Sequence, residues 1–210
     1  MMGIAPGAKI LAMRAFAAEQ VGAPPSTSSM ALARATDTAF ANGARVFNMS
    51  FAGPRDPLLI DLIDSAHEQG AVFVAAAGNQ GPKAPPAYPA AYEKVIGITA
   101  TDEEDGLYAL ANRGRYVSVA APGVDILVPV TGKAMDFMSG TSVAAAHVTG
   151  IVALLRERNP KLAPEEVRGI LLGAAHDLGT AGPDEDFGAG LADAYGALML
   201  ASPVVSQVNR

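Results

Sequence analysis

Apolar residues in this chain fall in short runs that alternate with stretches of helical spacing. "KILAMRAF" (9–16) reads as a buried strand, 27–42 as a helix, and "RVFNMSF" (45–51) as a second strand. "DPLLIDLIDSAHEQG" (56–70) has apolar positions at helical spacing, and "AVFVAAA" (71–77) reads as a third strand. Strand, helix, strand, helix, strand is the grammar of a parallel sheet wrapped in helices. The runs carry apolar residues at successive positions, as strands buried on both faces require. After a proline-rich loop, "QGPKAPPAYPAAYEK" (80–94), four more short runs follow: "VIGITATD" (95–102), "YVSVAAPG" (116–123), "DILVPV" (125–130) and "MDFMSG" (135–140). Two helices are predicted to close the chain, one over 142–157 and one begun by Pro164 with Glu165 and Glu166 in its first turn. There is no repeat, low-complexity tract or interior linker. The expected fold is α/β and three-layered, a mostly parallel sheet with helices on both faces, in a single domain over 1–210.

Composition narrows the classes. Half of the 210 residues are hydrophobic, enough for one sizeable core. Fifteen basic against twenty-one acidic residues give a net charge of -6 without a Lys/Arg cluster, which argues against nucleic acid as a partner. No run approaches the roughly 18 apolar residues of a membrane span, so no membrane partner is expected. The chain has no cysteine, which removes disulfides, thiolate metal sites and a cysteine nucleophile, suits a secreted bacterial protein and tolerates the cytosol. The start "MMGIAPGAKI" lacks a basic flank leading into an apolar stretch, and its doubled methionine marks the amino terminus as a candidate cut.

Glycine-marked loops follow three of the runs: "NMSFAG" (48–53), "AAAGNQGP" (75–82) and "SGTSVAAAH" (139–147). Ligands of open parallel sheets collect at the carboxyl ends of strands, so these loops could share one cleft. Singly, Gly78-Asn79 could be a strand-ending turn and Ser142 an N-cap. The nucleophile elbow of α/β-hydrolases requires Gly-x-Ser-x-Gly, and "GTSVA" fails it at Ala144. There is no HExxH, and "TDEEDG" (101–106) reads as a solvated acidic turn rather than a calcium loop, so neither cofactor nor metal is assigned.

Taken in order, "GIAPGAKILAMRAF", "VFNMSFAGP", "VFVAAAGNQG", "YVSVAAPGVDI" and "MSGTSVAAAHVTGIVALL" resemble segments of the subtilisin-like serine proteases, the subtilases, over about residues 3–198. The resemblance implies a serine endopeptidase with Ser142 as nucleophile and Asn79 as the side-chain donor of the oxyanion hole. That chemistry needs preorganised donors where negative charge develops, here Asn79 and the Ser142 N–H at a helix amino terminus. It further implies that Ser50, Phe51, Ala52 and Gly53 form one wall of the primary specificity pocket and Ala76, Ala77 and Gly78 the other. Small residues there leave room for a large apolar side chain, and an extended polypeptide substrate would add as a strand beside 50–53. Structural calcium is common in the family, but no complete site maps onto these residues. The family and the absence of cysteine point to a secreted or periplasmic protein.

The departures matter as much. In the family the base and its orienting carboxylate come from an Asp-Thr/Ser-Gly strand end and a His-Gly-Thr-His helix start, both preceding the Gly-Ile-Ala-Pro element; neither motif occurs in this chain. His147 is expected to be structural, His67 to face solvent, and His176 to lie near the end of the helix begun by Pro164. "DTA" (37–39) mimics the aspartate motif but falls within a helical pattern, with Ala39 where the family has glycine. The 210 residues are therefore expected to be inactive alone. The alternative is a non-catalytic peptide-binding or interaction module, a pseudoprotease that keeps the groove. Without the aspartate-bearing strand, either 9–16 slides over to pair with 45–51 or two copies pair their sheet edges. A third course is complementation by another chain.

Overall fold

The computed structural model describes residues 3–18 and 25–201. The Met1-Met2 start lies outside the described residues. Strands β1 (Val46–Met49), β2 (Val72–Ala76), β3 (Val95–Thr101) and β4 (Val117–Pro122) form a parallel sheet in the order β1-β2-β3-β4. Successive side chains of a strand point to opposite faces, and the sequence supplies apolar groups to both. Val72, Val74, Ile96, Ile98, Val119 and Ala121 face one helical layer, whereas Phe47, Met49, Phe73 and Ala75 face the other.

The first layer is built on α3 (Thr141–Arg158), which touches all four strands, with α4 (Pro164–Ala174) and α5 (Ala194–Leu200) beside it. Ala144, Ala145, Val148, Ile151, Val152 and Leu155 are buried, the three-and-four spacing of one helical stripe. The second layer holds α1 (Ser29–Ala41) and α2 (Pro57–Glu68). Each begins at a side-chain cap: Ser28 accepts from the Ala31 N–H, and Asp56 from those of Leu58 and Leu59. Pro57 at the first helical position has no N–H to leave unpaired. The three-layer α/β architecture expected from the sequence is thus the one found.

Four local points correct or extend the sequence reading. Residues 9–16 form no strand and make no described pairing with 45–51. Ile10 is 89% exposed, and Leu11 and Met13 are also exposed. Apolar composition supplies an affinity for a core, but a strand also needs a ladder partner for its backbone. The segment is instead fixed near its ends: Ile4 lies against Gly150 of α3, and the Phe16 ring lies 5.2 Å from that of Phe51. Next, β5 (Ile126–Val130) and β6 (Lys133–Met138) make a separate antiparallel hairpin outside the main sheet. A third closing helix, α5, is present; its seven residues are too few to show a period, but Asp193 caps it by accepting from Tyr195 N.

The fourth correction concerns His67, which is buried, at 7% exposure. It sits in the last turn of α2 with Nδ1 3.5 Å from Glu165 Oε1 at the start of α4. Burial pushes its pKa below the ordinary histidine value, against the opposing pull of the Glu165 carboxylate. The unfolded chain therefore takes up a proton more readily than the folded one. The stability tied to neutral His67 is fully present above the ordinary value of about 6.5 and is lost as pH falls below it towards the folded pKa. Urea midpoints measured across this range should fall on acidification, and His67→Gln should flatten that part of the profile.

Candidate functional site

Three chain segments meet where β1 and β2 end and α3 begins. Ser50 follows β1, Gly78 and Asn79 follow β2, and Thr141 and Ser142 open α3. Ser142 is half-buried; its hydroxyl lies 3.4 Å from the Ser50 carbonyl, to which it donates, and the Ser50 hydroxyl donates to the Ser142 carbonyl at 3.0 Å. Asn48 Nδ2 in turn donates to Ser50 Oγ at 2.9 Å.

Asn79 is oriented by its neighbour across the cleft. Its Oδ1 accepts from the Thr141 N–H at 3.0 Å and from the Thr141 hydroxyl at 2.8 Å. A backbone N–H can only donate, so this contact requires the carboxamide oxygen and turns Nδ2 the other way. Nδ2 lies over Gly140, where a Cβ would come within 3.1 Å of it, so glycine is what admits the amide. Thr141 is fully buried, and its hydroxyl also accepts from the Gly78 N–H at 3.2 Å. Sequence reasoning did not single out Thr141; the signal was a hydroxyl residue immediately before Ser142. The Ser142 N–H belongs to the first turn of α3, where backbone donors lack intrahelical acceptors. A hydroxyl beside two N–H donors at a helix amino terminus can accommodate an anion.

The proposed wall residues lie at the ends of adjacent strands, Ala76 closing β2 and the others on the loops that follow β1 and β2. Ser50 and Phe51 are half-buried and Ala52 and Gly53 exposed, whereas Ala76, Ala77 and Gly78 are buried. Gly53 exchanges backbone hydrogen bonds with Tyr88 at 2.8 and 3.1 Å, and the Ala77 carbonyl accepts from the Tyr116 hydroxyl at 3.0 Å.

None of the histidines is joined to Ser142 by a described hydrogen bond. His147 Nδ1 lies 3.2 Å from the Val143 carbonyl of its own helix, and His67 faces Glu165. His176 stands past the end of α4 with Nε2 3.4 Å from Asp193 Oδ2. Asp37 is an exposed residue of α1. In the acidic turn, Asp102 Oδ1 accepts from the N–H groups of Glu104 and Gly106, so this carboxylate closes its own loop. Two cavities of about 460 and 450 Å³, both bordered by His67 and Glu165, lie near the amino ends of the strands, away from this cleft.

The central helix of this parallel α/β sheet thus carries a serine in its first turn beside a carboxamide of fixed orientation. The chain belongs to the subtilase family, whose sequence pattern matches residues 1–190. It is 37% identical over 190 residues to the minor extracellular protease Epr of Bacillus subtilis (strain 168), covering 90% of this chain but 29% of that protein. Subtilisin Savinase of Lederbergia lenta is 30% identical over 198 residues, covering 94% of this chain and 70% of its own length. In structure the chain is similar to fervidolysin of Fervidobacterium pennivorans, described as a keratinolytic enzyme related to subtilisin. That match has a TM-score of 0.76 at 33% identity and covers 85% of this chain and 30% of fervidolysin. Among the described residues no helix is long and apolar enough to cross a membrane.

Proposed function

We propose that this chain carries the nucleophile and oxyanion half of a subtilisin-type endopeptidase site that acts on extended polypeptides. The observation that carries the reading is the fixed orientation of Asn79 by Thr141 beside Ser142. Ser142 Oγ forms a bond to the scissile carbonyl carbon, and the carbonyl electron pair moves to oxygen. Asn79 Nδ2 and the Ser142 N–H receive that charge. Collapse breaks the C–N bond, the amine leaves with a proton, and water then hydrolyses the acyl-serine. Ser50 to Gly53 and Ala76 to Gly78 form the walls that accept a large apolar side chain.

The Ser142 proton needs an acceptor, and the described partner of this hydroxyl is a carbonyl rather than a base. These 210 residues are therefore inactive or nearly so alone, with at most the residual effect of an oxyanion hole, about 10³–10⁴ over water in triad-deleted enzymes. The same hydrogen bond favours a second reading, a pseudoprotease that holds peptide without cleaving it. The edge of β1, which pairs with no strand but β2 among the described residues, is the place for self-association or for a complementing chain, since unpaired ladder groups seek a strand. A secreted or periplasmic location fits the extracellular protease among the relatives.

Exogenous imidazole can stand in for the absent base. A fluorophosphonate probe should leave the chain unmodified in buffer and label Ser142 in the presence of imidazole, with no labelling of Ser142→Ala. Labelling without imidazole would overturn the inactivity. No labelling with it, in a folded sample, would favour the pseudoprotease.

A further inference from the structure

Asn79 can donate to an oxyanion only if its own backbone is held still, and one residue outside the cleft holds it. Asn112 is fully buried in the loop between β3 and β4. Its backbone N–H donates to the Gly78 carbonyl at 2.9 Å, and its Oδ1 accepts from the Gln80 N–H at 2.8 Å. The Gly78 carbonyl belongs to the peptide unit before Asn79 and the Gln80 N–H to the unit after it. Those two planes set φ and ψ of Asn79, so a single residue fixes both dihedrals.

The fit is close on both sides. Gly78 has φ +110°, and a Cβ there would meet Asn112 Nδ2 at 2.5 Å. Glycine is thus required by conformation and by the approach of this side chain. Next in the chain, the Gly81 N–H donates to the Leu110 carbonyl at 2.9 Å, so the 110–112 loop runs under the whole turn. On the other side Thr141 fixes the Asn79 side chain through Oδ1. Backbone and side chain of Asn79 are therefore held by two different elements, and Nδ2 is left to meet the substrate.

We infer that Asn112 is a positioning residue of the oxyanion site, acting through the Asn79 backbone; the inference rests on the function proposed above. Both required contacts come from one residue, a main-chain donor and a short side-chain acceptor. Asn112→Ala removes the carboxamide and opens space, whereas Asn112→Leu keeps nearly the same shape and removes the Oδ1 acceptor together with the Nδ2 donor. In either variant the Gln80 N–H is released and the Asn79 carboxamide drifts. A displacement of about 1 Å in a catalytic group can cost about 10²-fold in rate.

The test uses the full chain with a peptidyl diphenyl phosphonate carrying phenylalanine at its reacting end, in imidazole. The inactivation rate at saturation should fall roughly 10- to 100-fold in both variants while half-saturation stays unchanged, because the pocket walls are intact. Arg113→Ala, which removes an ion pair to Asp186 on the same loop, should alter neither. Hydrogen exchange of the Gln80 amide should rise in both variants while that of Ala77, bonded to the Ile98 carbonyl, does not. Wild-type rates in Asn112→Leu, or a change confined to half-saturation, would overturn the inference. If the wild type is not modified even with imidazole, the proposed function fails. The positioning role is then decided by the Gln80 exchange and the Asn79 carboxamide resonances, and unchanged values in both variants would overturn it.

Discussion

Asn79→Ala should slow the imidazole-supported phosphonylation of Ser142 by about 10²–10³-fold, the loss known for removal of an oxyanion-hole asparagine in a subtilisin. The expectation follows from the orientation of the amide. Thr141 occupies Oδ1 through two donors, so the oxygen is spent and Nδ2 remains available. Alanine removes that donor and also leaves the Thr141 N–H and hydroxyl without their acceptor. Asn79→Asp separates the two effects, because it restores an acceptor for Thr141 but offers no donor to the substrate. It should be as slow as alanine or slower, since it places a negative charge where one must develop. A rate within threefold of wild type in both variants would remove Asn79 from the chemistry. The measurement is the time course of Ser142 modification by mass spectrometry.

Phe73→Ala should cost about 3–5 kcal/mol of folding stability, read from urea denaturation. Phe73 is fully buried on β2 and its ring stacks on Phe47 of β1 at 4.8 Å and 21°. It belongs to the cluster that joins the sheet to Ile63 and Ala66 of α2 and Ala39 of α1. Truncation removes the transfer energy of a benzyl group and leaves a hole between two rigid layers that close poorly over it. Phe73→Leu, which retains most of the volume, should cost less than half as much. A loss below about 1 kcal/mol for alanine would mean that the α1 and α2 layer is not packed as found.

What could be read in advance divides along a physical line. α2 was legible because apolar residues recur at helical spacing, a local signal, and the structure adds the Asp56 cap and Pro57 at its start. The runs of β2, β3 and β4 were legible because residues buried on both faces leave no polar alternation. Residues 9–16 look much the same as an apolar run, yet a run records only what its side chains tolerate and not whether a neighbour offers backbone partners. His67 lies between Asp64 and Glu68, so its own helix suggested solvent; its cover comes from α4, about a hundred positions away. In the cleft, Ser142 and Asn79 were marked by short motifs. Thr141 was marked only as a hydroxyl residue before Ser142, and its part, like that of Asn112, comes from contacts 62 and 32 residues apart in sequence, which a local pattern does not specify.

The position of α3 also constrains the order in which this molecule can acquire its structure. All four strands of the parallel sheet end by Pro122, but the helix that touches all four on one face starts at Thr141 and ends at Arg158, and α4 and α5 of the same layer come later still. During synthesis from the amino end, Val72, Val74, Ile98 and Val119 leave the ribosome with no lid on that side. At about 5–20 residues per second the uncovered sheet face persists for seconds, the interval in which a chaperone can bind or neighbouring nascent chains can associate. That face of the sheet therefore cannot be buried until the last third of the chain is available to close it.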